Sequence, residues 1–393
     1  MASKHRPARM IGISRLISER SEPSDRLRYS RRLPRDRRPV VVLNTTRRCN
    51  LFCAHCYAAS TGASDDCPEE LSSDELRALL DDIGEFGSPV VLFSGGEPLL
   101  REDIFDLVAH ARSVGLRASI STNGTLIDAD MASRLAEAGA AYVGVSIDGL
   151  AETNDAFRGR EGAFELAIAG IRHCLNAGLK AGLRMTMTRR NLADLPGVFD
   201  LIAGEGIPRA CFYHLAYTGR GGDIRDDAPS HDQTRHALDM ILDRTTDLQS
   251  TGAKTEILTV DNHADAAYLF MYLQRRDPDR ANRALELLRS NGGNTSGVAI
   301  ACVGPTGDVH PDPFWRTQVL GNIRERPFSD IWTDGDQPLL ARLRDRHEHL
   351  YGRCRRCRFL DICNGNLRAR AEAVGDAWGD DPACYLSDEE IAP

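Results

Sequence analysis

Between residues 40 and 217, short apolar runs alternate with stretches in which apolar residues recur every three or four positions. The runs "VVVLN" (40–44), "VVLFS" (90–94), "ASIST" (118–122), "YVGVSI" (142–147), "LRMTMT" (183–188) and "ACFYHLAY" (210–217) are predicted strands. Between them lie helical periods. Leu76, Leu79, Leu80, Ile83 and Phe86 follow a capping-box pair, Ser72 and Glu75. Ile104, Leu107, Val108 and Ala111 make the next helix, stopped by Gly115, and others are predicted near 128–138, 163–177 and 192–204. Six alternations of strand and helix predict an α/β fold with a parallel sheet. Polar loops after each strand suit an open, partial TIM-like (β/α)6 barrel, with its chemistry at the C-terminal ends of the strands.

The rhythm stops near residue 218. "TGRGGDIRDDAPS" is a polar link, and two or three helices up to about 291 make 218–297 a helical connecting region. "GVAIACVGPTGDVHPDPF" reads as a hairpin turning at Pro305 to Asp308. Residues 298–393 are then predicted as a small metal-supported module, because the tail has four cysteines and little periodicity.

Charge changes the picture at one end. Residues 1–39 hold twelve Lys and Arg against four Asp and Glu, a balance of +8, so a net charge of −8 leaves −16 for the rest. The arm reads as a solvated cover over the domain. An acidic body repels phosphate, and no nucleic-acid module follows the arm, so no nucleic-acid partner is expected. No run of 18 apolar residues offers a membrane helix, and the N-terminus lacks the apolar stretch of a secretory signal. The expected location is cytoplasmic.

Eleven cysteines in such a chain point to metal rather than disulfides, because they cluster. Cys49, Cys53 and Cys56 stand in "RRCNLFCAHCYAAS". Structural zinc takes four ligands and an ordinary iron–sulfur cluster four thiolates, so this set is one short. Two readings stand on the residues alone. One is a zinc loop borrowing His55; the other is a cubane cluster with one iron left open.

The spacing Cys-x3-Cys-x2-Cys directly after the first strand resembles the radical S-adenosylmethionine (SAM) superfamily. So do "SGGEP" (94–98), "STNG" (121–124), "SIDG" (146–149) and Arg184, each at a later strand. The resemblance implies a [4Fe–4S] cluster whose open iron chelates SAM and gives it one electron, releasing a 5′-deoxyadenosyl radical. It also implies SAM contacts at Tyr57, Gly95, Gly96, Glu97, Ser121, Asn123, Ser146, Asp148 and Arg184. Gly95 and Gly96 would let backbone approach the ligand, and Glu97 would accept from its ammonium. For each short polar side chain a local turn is the plainer reading.

Cys354, Cys357, Cys363 and Cys384 form a closed set that zinc would also suit. The tail resembles SPASM/twitch extensions of radical SAM enzymes, which implies an auxiliary [4Fe–4S] cluster. The match is partial: Asp312 and Leu367 stand where the fuller pattern has cysteines, and Cys302 reads as a relic of it. One auxiliary cluster is therefore expected, serving electron transfer.

"TVDNHADAAYL", "NGGNTSGVAIACVGPTGDVHPDPFW" and "CRFLDICNGNLRARAEAVGDAWGDDPACYLSDEEI" resemble tetrapyrrole-modifying radical SAM enzymes of the alternative haem and haem d1 pathways. The likeness implies an iron-tetrapyrrole substrate, 12,18-didecarboxysirohaem, losing two acetates to give iron-coproporphyrin III. The haem d1 alternative replaces two propionates with oxo groups, and a peptide or protein maturase is a third reading. A reducing donor such as flavodoxin or ferredoxin is implied. Candidate substrate residues are Arg220 and Arg225, as carboxylate partners, and His214, His263 and His310, for the ring iron or proton transfer.

Overall fold

The computed structural model describes residues 10–18, 20–22, 25–29 and 38–393. Six strands follow the sequence pattern: β1 Val40–Asn44, β2 Val90–Ser94, β3 Arg117–Thr122, β4 Tyr142–Ser146, β5 Ala181–Met187 and β6 Arg209–His214. All run parallel, each beside the next. Helices α1 Ser73–Glu85, α2 Ile104–Ser113, α3 Ala129–Ala138, α4 Ala151–Arg158, α5 Ala163–Asn176 and α6 Leu195–Gly204 form the crossovers. The capping box of α1 is made in full, with Ser72 Oγ accepting from Glu75 N at 3.2 Å and Glu75 Oε2 from Ser72 N at 2.8 Å. Val91, Phe93, Ile120, Val143, Leu183 and Phe212 are fully buried against the apolar stripes of these helices, which supply the fold's main hydrophobic drive.

The sheet is larger than the pattern predicts. β7 Glu256–Val260 extends it parallel to β6, and β8 Ile300–Val303 extends it parallel to β1, giving eight parallel strands. β7 lies inside 218–297, the stretch read as helical. Its five residues are all buried, so no polar alternation marks it as a strand, and helices flank it on both sides. The rest of that stretch carries the three helices α7 His231–Ser250, α8 Ala264–Arg276 and α9 Pro278–Asn291. The expected hairpin is formed by β8 and β9 Asp308–His310, with Gly307 at φ 93° in its turn, but β8 also serves as barrel wall.

The edges are closed by antiparallel pieces. Met10–Gly12 pairs with β7, and β9 is followed by β10 Gly321–Asn322. The reading of the arm as solvated cover does not hold where the arm is described. Ile11, Ile13 and Leu16 are buried, and Arg28, 3% exposed, reaches back to pair with Asp25 and Glu256. An amphipathic segment beside an open strand edge gains more by pairing with it than by staying in water. No helix among the described residues is long and apolar enough to cross a membrane.

Candidate active site and auxiliary cysteine pocket

A cavity of about 340 Å³ runs through the barrel. At the C-terminal ends of the strands its wall is made by Cys49, Cys53 and Cys56 from the loop after β1, with Tyr57, Gly95, Gly96, Ser121, Asn123, Ser146 and Arg184. Seven of the nine residues expected to meet SAM therefore face one space.

The loop geometry gives both glycines a reason. A Cβ on Gly95 would meet the Thr46 carbonyl at 2.5 Å, and one on Gly96 the Arg48 carbonyl at 2.2 Å. The Gly96 and Glu97 N–H groups donate to those same carbonyls, at 2.7 and 2.8 Å. The two glycines thus bring the loop after β2 against the start of the cysteine loop, and both also line the cavity.

Glu97 and Asp148 stand behind the wall. Glu97 is fully buried; its carboxylate accepts from Leu99 N at 3.1 Å, Thr122 Oγ1 at 2.8 Å and Asn123 N at 2.8 Å, tying the loops after β2 and β3 together. Burial pushes its pKa up to about 7, against the pull of those donors. Asp148 is also fully buried. It accepts from Thr186 N at 2.7 Å and pairs with Arg158 and with His55 Nε2, the latter at 3.3 Å.

That pairing bears on the metal. His55 is turned to Asp148 and stacked on Phe157 at 4.6 Å, not set as a fourth ligand to the cysteines. Burial pulls its pKa down to about 4, so it is neutral. Among the described residues no three His, Cys, Asp or Glu side chains converge on one ion-sized point. Cys49, Cys53 and Cys56 instead pack as a small cluster with Leu51 and all three line the cavity, a donor set of the kind that holds an iron–sulfur cluster. Burial raises Cys49 to about 12, and it raises Cys53 even though Arg158 opposes it. The loop is thus a poor place for bare thiolates and a good one for thiolates sharing their charge with iron.

Arg184 rises from β5 into the cavity across Gly144 of β4, where a Cβ would meet its Cδ at 2.7 Å. Its guanidinium donates to Ser121 Oγ and, through Nε at 3.0 Å, to the Tyr213 hydroxyl. This fixes a forked cation beside Ser121 and Ser146, able to hold a carboxylate. Tyr57 is anchored by its hydroxyl to Asn44 Oδ1 (3.0 Å) and Ser94 Oγ (2.9 Å).

The substrate candidates separate. His214 is in the cavity wall, with Nε2 2.9 Å from Asp265 Oδ2, whose other oxygen accepts from the Tyr385 hydroxyl at 2.9 Å. Arg220 is not at the mouth: it donates to Cys53 O (2.9 Å) and Ser60 O (3.0 Å) and lies 4.0 Å from the Phe52 ring, bracing the cysteine loop. Arg225 is exposed and outside the cavity wall. His263 is fully buried at the start of α8, and His310 is held by Gln318 O at 2.8 Å in β9; neither lines the cavity. Sequence reasoning missed Arg158, 6% exposed, which donates to Cys53 Sγ at 3.6 Å, and Tyr213. Nothing in the spacing marks Arg158; an Arg closing a helix is ordinary.

The second cysteine set is brought together. Cys354, Cys357, Cys363 and Cys384 line one pocket of about 30 Å³, with Phe359, Leu360, Leu386 and Ile391 as apolar walls. Burial pushes Cys354 up to about 12. The donors fit a closed four-thiolate site. Asp312 is fully buried and accepts from Phe314 N (2.7 Å) and Trp315 N (3.0 Å), and Leu367 is buried, so both of the expected absences are filled by packing roles. Cys302 is fully buried on β8, with Asn44 Nδ2 3.4 Å from its sulfur.

Residues 43–202 match the radical SAM superfamily and residues 297–358 match SPASM, an iron–sulfur cluster-binding domain. The chain is 52% identical to the Fe-coproporphyrin III synthase of Methanosarcina barkeri (strain Fusaro / DSM 804), over 97% of this chain and 99% of the relative. It is 44% identical to the pre-heme d1 synthase of Dinoroseobacter shibae, over 90% of this chain and 87% of the relative. In fold it is similar to Streptococcus suis SuiB bound to the precursor peptide SuiA, with a TM-score of 0.70 and 19% identity over 88% of this chain and 76% of that one.

Proposed function

Because this chain belongs to the SPASM-bearing radical SAM enzymes of haem biosynthesis, we propose that it takes two acetate arms from 12,18-didecarboxysirohaem to give iron-coproporphyrin III. The observation that carries the substrate is the 52% identity to Fe-coproporphyrin III synthase over nearly the full length of both chains. The likeness to pre-heme d1 synthase keeps a second reading, replacement of two propionates by oxo groups.

The residues divide the work. Cys49, Cys53 and Cys56 would hold the SAM-binding [4Fe–4S] cluster, and Cys354, Cys357, Cys363 and Cys384 an auxiliary one. When bound, the first cluster and SAM supply one electron and the radical that takes hydrogen from a substrate side chain. Arg184, fixed by Ser121 and Tyr213, would orient the SAM carboxylate, with Ser146 and Asn123 beside it. Tyr57 and Phe314, ring centroids 5.3 Å apart, would wall the adenine and exclude water. His214, held by Asp265, is the cavity residue suited to take or give a proton at the substrate. A reducing donor such as flavodoxin or ferredoxin would deliver the electron.

Anaerobic turnover with SAM, a strong reductant and 12,18-didecarboxysirohaem tests this by product mass. Loss of two acetates supports the proposal, and two oxo groups in place of propionates would move the assignment to haem d1. Deoxyadenosine formed beside an untouched tetrapyrrole overturns the substrate, and peptides would be assayed next.

A further inference from the structure

Two fully buried arginines of the C-terminal module are handled differently. Arg370 is met by both oxygens of Asp381, at 2.7 and 2.9 Å. Arg368 donates only to backbone carbonyls, those of Ala377 (2.9 Å), Gly379 (2.6 Å) and Gly365, and its Nε has no acceptor. Among the described residues it has no carboxylate partner. Carbonyl dipoles solvate a guanidinium without neutralising it, and a permanent cation buried without a counter-charge is costly.

The carbonyls that hold Arg368 border the four-cysteine pocket. Gly365 lines the four-cysteine pocket two residues after Cys363. Gly379 precedes Asp380, which lines the same pocket and accepts from Cys354 N at 3.2 Å. Arg368 is thus bonded to two loops, at Gly365 and Gly379, that border the pocket. At the three-cysteine loop, Arg158 touches Cys53 and is paired with Asp148, while Arg220 donates to the Cys53 and Ser60 carbonyls.

We infer that Arg368 is the counter-charge of the four-cysteine site, and that it holds the potential of the cluster there above what four thiolates alone would set, making that site an electron acceptor. The inference rests on the auxiliary-cluster reading. Reduction adds one negative charge to an already anionic tetrathiolate cluster, and a fixed cation in a weakly screened interior favours the reduced form. The cluster's one-electron reduction consumes no proton, so the whole effect is electrostatic.

The test uses the full chain with Cys49, Cys53 and Cys56 all changed to Ala, so that only the auxiliary cluster forms on anaerobic reconstitution. Its reduction is followed by electron paramagnetic resonance during a redox titration, with and without Arg368→Gln or Arg368→Lys. Arg368→Gln is expected to lower the reduced-to-oxidised ratio at fixed potential at least tenfold, a shift of about 59 mV for one electron. Arg368→Lys, which keeps the charge and loses the fork, is expected to stay within threefold of the parent. Equal shifts in both variants, or none in Arg368→Gln, overturn the inference. If Arg368→Gln fails to fold, the Lys variant decides: a tenfold shift there shows that the fork, not the charge, sets the potential. No cluster in the parent would instead remove the auxiliary-cluster reading itself.

Discussion

The Arg158 guanidinium donates to the Cys53 sulfur at 3.6 Å, from the last position of α4 to the middle of the cysteine loop. Its other contact is the fully buried Asp148 carboxylate, so one side chain ties the loop after β1 to the end of β4. Replacing it by Met leaves Asp148 buried without its strong partner, a loss of about 3–5 kcal/mol for breaking such a pair. Denaturant unfolding of the apo protein is expected to show that loss, and reconstituted iron content is expected to fall with it.

Cys49→Ala is expected to abolish deoxyadenosine formation, because the SAM-binding cluster loses one of only three ligands. Cys357→Ala is expected to keep slow, uncoupled deoxyadenosine release while tetrapyrrole product is lost. Product mass and deoxyadenosine read from the same anaerobic mixture separate the two sites.

Removing the Arg184 fork is expected to weaken SAM binding by at least tenfold with iron content unchanged, since a charge-assisted bond contributes about 1.5–3 kcal/mol. Tyr213→Phe keeps the cation and loses only its anchor, so a smaller loss is expected. Equilibrium binding of SAM to the reconstituted protein checks both.

Glu97 makes stability depend on pH. Its folded pKa of about 7 lies above the ordinary carboxylate range, so the folded state holds a proton that the unfolded state releases. The stabilisation is full below the unfolded pKa and is lost as pH rises through about 7, with a slope of up to about 1.4 kcal/mol per pH unit in between. Glu97→Gln is expected to flatten that slope in denaturant melts of the apo protein at pH 5–8.

The six core strands and the two cysteine sets were legible because each depends on local pattern: apolar runs, capping residues and short ligand spacings. Arg158 and Tyr213 were not, because they act through contacts made only after β4, β5 and β6 lie side by side. Arg220 misled for the same reason. Its position after β6 points to the mouth, but the loop folds it back under Phe52. Strand β7 hid because burial on both faces erases the alternation by which a half-buried strand is recognised. Glu97 and Asp148 sit in the right motifs, but one layer further back than a motif can show.

The eighth parallel strand has a consequence for how this chain is made. β1 pairs on one side with β2, soon after it in sequence, and on the other with β8, so Val40 waits for Ile300. During synthesis the barrel's first strand keeps one edge open until most of the polypeptide has left the ribosome. The residues that finally cover it belong to the same module that carries the second cysteine set. A polypeptide stopped before residue 298 would present that apolar edge to its neighbours, so truncation there favours aggregates over a free-standing catalytic half.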